Sequence, residues 1–298
     1  MQATLRRARD SDHLAGWSLA FPAVFLIALF GLVPIGWSFL LSLQKSNLIS
    51  PSTPFVGLAN YRALFKDPLF RESAGHTLIY TGLFVPLSVG GGLAVAIAMN
   101  RRIRGIRFYR TAVFVPVVAS TIATAIMFLW LFDKTFGLAN YGLGKVGLGP
   151  FGFFESPSGA LYSIVAMTVW GWLGFDVIIY LAALQGIPAE LLEAAEIDGA
   201  GRWSVFRNVT LPLLGPATLF LIVWSSINAL QLFDEVYFLT RGGPLHATYV
   251  LVYYLFDLAF QQGIAGYAAA IAYVLFVVIL ILTLIQLWMG RKLVHYSS

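Results

Sequence analysis

Six stretches of this chain are each apolar over about twenty residues or more, and that fixes the solvent in which it folds. They run through residues 17–43, 77–99, 111–132, 161–185, 212–232 and 265–289. A helix needs about 20 residues to cross the roughly 30 Å hydrocarbon core of a bilayer. Inside lipid every backbone amide and carbonyl must be bonded within the protein, so single spans of this length are helices. The expected fold is therefore all-α: a polytopic membrane protein with six transmembrane helices. Charged residues make up only 11% of the chain, against about 25% in a soluble domain. The first stretch follows Arg6, Arg7 and Arg9, as a signal peptide would. It is too long for such a leader and no A-x-A site follows it, so it reads as a retained span.

Basic residues set the orientation. With the N-terminus in the cytosol, the inner segments hold Arg6, Arg7 and Arg9, then Arg101, Arg102, Arg104, Arg107 and Arg110, then Arg202 and Arg207, and last Arg291 and Lys292. The outer loops are longer and sparser, with Lys45, Arg62, Lys66, Arg71, Lys134, Lys145 and Arg241. Both termini and the loop 186–211 are therefore expected in the cytosol. The net charge of +5 belongs to this asymmetry and to contact with membrane lipid; no nucleic acid is expected as a partner. The arginines around 101–110 need only snorkel to the headgroups. Residues 1–16 are expected to be a cytosolic segment, 17–290 a single transmembrane domain, and 291–298 a cytosolic tail. The outer connections 44–76, 133–160 and 233–264 are too short to fold alone. Within the last, 251–260 is apolar but too short to span and reads as an interfacial or re-entrant helix.

The sequence offers no catalytic residue and no metal site. Cysteine is absent, and His13, His76, His246 and His295 are scattered without ligand spacing. Gly144-Lys145 lacks both the upstream glycine and the Ser or Thr of a P-loop. Gly142, Gly144 and Gly147 match a G-x-G-x-x-G string, but no strand precedes it. Asp176 is the only charged residue inside a span, which marks either a functional site or an interior pair. It follows Trp170, Trp172 and Phe175, so one reading is a sugar held by ring faces and a carboxylate. The other is a bond to a neighbouring helix or a partner subunit. The fifth span carries Trp224, Ser225, Ser226, Asn228 and Gln231, with Trp224, Asn228 and Gln231 on one helical face. These either line a substrate path or join helices by hydrogen bonds.

The most informative segment is the charged loop Glu193-Ala-Ala-Glu-Ile-Asp198-Gly199-Ala200-Gly201, followed by Phe206 and Leu211-Pro212. Pro188 suits a first helical turn, and Glu190 and Glu193 suit the positive end of a helix dipole. Ala194 and Ala195 leave a face small enough for close approach of a partner. Gly199 permits a left-handed turn, Asp198 is placed to cap a second short helix over 202–209, and Pro212 then opens the fifth span.

This segment resembles the coupling loop of permease subunits of bacterial ABC importers. Phe55-Val-Gly-Leu-Ala-Asn-Tyr61, Phe108-Tyr-Arg110, Phe114-Val-Pro116, Phe233-Asp234, Leu239-Thr240 and Gly242-Gly243-Pro244 resemble the carbohydrate-type branch, maltose-like and glycerol-3-phosphate-like. The resemblance implies a type I importer permease fold in a bacterial cytoplasmic (inner) membrane. It implies that Glu193, Ala194, Ala195, Asp198, Gly199, Ala200 and Pro212 couple the chain to a separate ATPase. The implied partners are a second homologous permease, an ATPase dimer and an extracytoplasmic sugar-binding protein. No cofactor is expected on this chain; ATP and Mg belong to the ATPase. The implied cargo is a di- or oligosaccharide, with glycerol 3-phosphate the alternative. In maltose-type relatives the sugar site lies on the fifth span. Ser225 matches one of its positions, whereas Ala229 and Leu232 do not keep its polar partners. A self-sufficient secondary transporter, the rival from another class, would need inverted repeats and midplane carboxylates; the sequence shows no repeat and one such carboxylate.

Overall fold

The computed structural model describes residues 16–47, 53–101 and 104–293. The expected N-terminal segment up to residue 15, the end of the tail, Arg102, His13 and His295 lie outside the described residues. The described chain is helical, with one isolated bridge between Gln44 and Phe55. Four helices are long and apolar enough to span a membrane: α1 Gly16–Ser42, α3 Pro68–Met99, α7 Ala160–Gln185 and α13 Ala265–Leu293. Two further spans are bent pairs. They are α4 Ile106–Val118 with α5 Thr121–Leu131, bent by 102°, and α9 Arg202–Leu213 with α10 Gly215–Leu230, bent by 63°. Short helices fill the connections: α2 Ala59–Lys66, α6 Leu138–Lys145, α8 Ala189–Ile197, α11 Asp234–Leu239 and α12 Leu251–Gln261.

The third and fifth spans, expected as single helices over 111–132 and 212–232, are each broken by one of these bends. Pro116 has no N–H for the carbonyl of the preceding turn, and α4 ends two residues later. Ala119 and Ser120 are then extended, at ψ 142° and 133°. Pro216 likewise cannot donate to Pro212, four residues before it, and the chain bends at Leu214. Pro212 thus lies within α9 and does not open the span. The second span starts earlier than expected, at Pro68, because Asp67 accepts the amide of Leu69 at 2.9 Å and caps the helix. The helix over 251–260 exists and ends in a π-helical turn, Asp257–Gln261.

The chain separates into two compact units. In the smaller, residues 1–66 and 257–273, the end of α1 is tied by the Phe55 segment. Asn60 Nδ2 donates to the carbonyls of Ser42 (2.8 Å) and Gln44 (3.0 Å). The Ser42 hydroxyl meets Tyr61 at 2.7 Å. The apolar side chains of α1 point outward; Phe30 is 74% exposed. Burial within this chain therefore does little for α1, whose apolar surface suits a hydrocarbon environment.

In the larger unit, residues 67–256 and 274–298, α3 and α7 pack along their length, with α4 against α7 and α10 against α3. Their core includes Val89, Ala96, Val177, Tyr180, Leu181 and Leu221. Small residues set the spacing, as in other membrane helix pairs. A Cβ on Gly92 would collide with Asp176, and one on Gly174 with the carbonyl of Val113. Thr77 and Thr81 return their hydroxyls to the carbonyls of Ser73 and Thr77, both at 2.8 Å.

Candidate functional site

Two places in the larger unit carry chemistry: a polar cavity among the helices and the exposed loop after α7. The cavity, about 180 Å³, takes Tyr80 and Phe84 from α3 and Thr121 from the start of α5. Trp172 of α7, Asn228 and Gln231 from the end of α10, and Asp234 and Glu235 from the start of α11 complete its polar wall. A smaller void of about 70 Å³ adjoins it and shares Thr121, Trp172 and Glu235, adding Thr124 and Thr168. The break between α4 and α5 brings Thr121 to the wall, and α11 packs on α5.

The wall is rich in unspent acceptors. The Tyr80 hydroxyl donates to Thr168 Oγ1 at 3.0 Å. Asn228 Nδ2 donates to the carbonyl of Trp224 at 2.8 Å, which leaves its Oδ1 turned to other donors. Gln231 is exposed and caps the end of α10. Burial pushes the Glu235 carboxyl above its ordinary value; its own amide pulls it down and the neighbouring charge of Asp234 adds to the rise. No lysine or arginine lines either void. An aromatic face beside several acceptors fits a polyhydroxylated ligand, whose hydroxyls donate and whose C–H faces stack.

The residues expected from sequence divide. Asn228 and Gln231 meet in the cavity, joined by Trp172. Trp224 does not line it: its ring faces Phe220 (6.1 Å between centroids) and Phe175 (5.9 Å). Ser225 is buried. Ser226 accepts Gln286 Nε2 at 2.9 Å, a helix–helix bond of the kind the second reading named. Asp176 is 1% exposed and accepts the Ser88 hydroxyl, so it joins α7 to α3 away from Asn228 and Gln231. Sequence reasoning missed Tyr80, Thr121 and Glu235. Only the last left a signal: two adjacent carboxylates directly after an apolar stretch.

The loop after α7 is built as a rigid step. Pro188 is the N-cap of α8, extended at ψ 131°, so it precedes the first turn expected to hold it. Asp198 is the C-cap of α8; Gly201, with no side-chain bond, precedes α9, so Asp198 does not cap the second helix. Gly199 has φ +78°. Around it the amide of Ala200 reaches the carbonyl of Ala195, and that of Gly199 reaches Glu196, both at 3.0 Å. These two bonds form a Schellman motif, which needs a left-handed residue and so favours glycine.

Glu190, Glu193, Ala194 and Asp198 are exposed. So are Leu191 at 45% and Ile197 at 85%, large apolar groups on an otherwise charged element. Ala195 and Ala200 are half-buried, and Leu192, Glu196 and Ala200 line a cavity of about 250 Å³. Its other walls include Ile97, Asn100, Leu184 and Ile187 at the ends of α3 and α7. One face of α8 thus lines this cavity and packs against α9, and the other stands free with uncovered apolar groups, as a docking surface does.

Residues 88–295 match the family model described as the binding-protein-dependent transport system inner membrane component. The chain is 35% identical to a lactose transport system permease protein from Rhizobium radiobacter, over 98% of each chain. It is 33% identical to a trehalose/maltose transport system permease protein from Thermococcus litoralis, over 93% of each. It is 32% identical to an sn-glycerol-3-phosphate transport system permease protein from Yersinia pestis, over 94% of this chain and 95% of that one. Its fold matches a chain of a bacterial ABC transporter involved in the import of the acidic polysaccharide alginate. The TM-score there is 0.85 at 24% identity, over 98% of this chain and 100% of that chain.

Proposed function

We propose, since this chain belongs to the family of binding-protein-dependent transport system inner membrane components, that it carries a di- or oligosaccharide across the cytoplasmic membrane. It is a permease subunit of an ATP-driven ABC importer, and the family's permeases are non-catalytic subunits. The observation that supports a saccharide is the cavity in which Trp172, Asn228 and Gln231 converge with no cation in its wall. Residues 17–290 act as one permease domain. The loop from Glu193 to Pro212 receives the push of a separate ATPase dimer, where ATP and Mg bind. A second permease completes the path, and an extracytoplasmic sugar-binding protein delivers the cargo. Glycerol 3-phosphate fits less well, because its phosphate would meet two carboxylates and no basic group. Family membership removes the self-sufficient secondary transporter.

The cavity reading is tested by uptake. A sugar hydroxyl that loses its acceptor in the bound state costs about 1–3 kcal/mol. Asn228→Leu or Gln231→Leu is therefore expected to lower uptake of the cognate saccharide roughly ten- to a hundredfold, with assembly and basal ATP hydrolysis retained. Wild-type uptake in both would place the sugar on the other permease.

Orientation is tested by thiol labelling, which the absence of native cysteine makes clean. Gly201→Cys is expected to react with impermeant reagent only from the cytosolic side, and Lys145→Cys only from outside. The reverse pattern would invert the topology.

A further inference from the structure

We propose that Glu235 is a specificity-determining residue that makes the cavity selective by charge, admitting neutral and cationic saccharides and turning away uronates and sugar phosphates. The inference rests on the reading of the cavity as part of the transport path, and adds to it which class of sugar the path accepts.

The placement of Glu235 carries the argument. It lines both voids and, of the three residues they share, Thr121, Trp172 and Glu235, is the only charged one. It makes no hydrogen bond or ion pair with another side chain among the described residues. Asp176, by contrast, is satisfied by Ser88. The nearest charged neighbour, Asp234, has the same sign and lines the larger void. Tyr80 faces Glu235 from α3, but its hydroxyl is committed to Thr168. The wall therefore offers two carboxylates, two amides and four aromatic rings, and no cation. Burial raises the pKa of the Glu235 carboxyl, so its charge is fullest toward the upper end of the working pH range; once ionised it repels an anion more strongly in that low-dielectric wall than it would in water. For a neutral sugar the same oxygens are the strongest available hydroxyl acceptors, and for an amino sugar they are counter-ions. A cavity that relied on Asn228 and Gln231 alone would have no preference by charge.

The test reads the field of the cavity directly, so it does not depend on knowing the cargo or on the selectivity of the binding protein. Gln231→Cys and Thr121→Cys place a thiol in the wall of a chain that has none. Each is treated, in the assembled importer in permeabilised membranes, with cationic and with anionic methanethiosulfonate. Rates are normalised to those of a free thiol, with the unsubstituted chain as background. The cationic reagent is expected to be favoured by about tenfold or more, within the range by which charged clefts alter encounter rates. Adding Glu235→Gln is expected to reduce that ratio at least threefold, and Glu235→Asp to preserve it.

Equal normalised rates, no reaction with either reagent, or a ratio indifferent to Glu235→Gln would each overturn the proposal. The first comparison leaves Glu235 intact, so it decides the matter whether or not Glu235→Gln assembles. If the cation preference is found but Asn228→Leu and Gln231→Leu transport normally, the charge assignment stands and the transport-path reading fails.

Discussion

Glu193→Lys and Gly199→Val are both expected to leave the chain inserted in the membrane and to reduce uptake to near background. Glu193 is exposed, and its side chain makes no hydrogen bond or ion pair among the described residues. Changing it should move folding stability by no more than about 0.5 kcal/mol. Lost transport in that variant therefore reports a lost partner contact. Gly199 acts differently. At φ +78° a residue with a Cβ costs roughly 1–2 kcal/mol, and a β-branched one more. The bonds from Ala200 to Ala195 and from Gly199 to Glu196 would give way before the rest of the fold. The free face of α8 would then lose its angle. Uptake and ATP hydrolysis measured together check both: hydrolysis without uptake, or loss of the ATPase on purification, is the expected signature. Normal uptake in both would remove the basis for the coupling assignment.

Gly92→Leu is expected to prevent stable assembly altogether. A Cβ there would meet the Cβ of Asp176, with Asp176 backbone atoms 3.4–3.5 Å behind it. Backbone cannot step aside as a flexible side-chain end can, so α3 and α7 would have to separate. Overpacking a tight contact costs typically 1–3 kcal/mol, and this one also parts the Ser88 hydroxyl from Asp176. Ser88→Ala keeps the helices close and only orphans the carboxylate. It should lower the thermal midpoint of the purified complex without abolishing assembly, by a loss of about 1–3 kcal/mol. If Gly92→Leu yields normal amounts of complex with an unchanged midpoint, the packing described for this helix pair is wrong.

These residues show what was legible in the sequence. The spans were, because twenty apolar residues in a row leave the backbone no other form in lipid. The left-handed turn at Gly199 was legible too, since glycine after a short acidic helix is a local signal. Where the spans bend was not. Pro116 and Pro216 are visible, but whether a proline kinks a helix or ends it depends on what its freed carbonyl meets. Asp176 shows the limit of a one-dimensional reading. Its rarity was visible, but its partner, Ser88, is 88 positions away. The cavity was half legible: Asn228 and Gln231 declared themselves as polar residues in an apolar run. Tyr80, Thr121 and Glu235 lie on three other elements and converge only through packing.

The corner between α4 and α5 bears on how this transporter should be probed. A helix end leaves its last carbonyls and first amides without partners inside the helix, and Ser120 puts no side chain onto the amides that follow it. Pro116, Val117, Ala119 and Thr121 meanwhile line the void beside Trp172. The Ala119 amide takes up the Pro116 carbonyl and the Ser120 carbonyl takes the Thr124 amide, so what this corner can offer a solute, on the reading of the cavity as the transport path, is the main-chain amides that remain, which no side-chain substitution removes. Alanine scanning around the cavity will read low for that reason, and replacing a peptide link by an ester at 119–121 is the way to weigh what the scan leaves out.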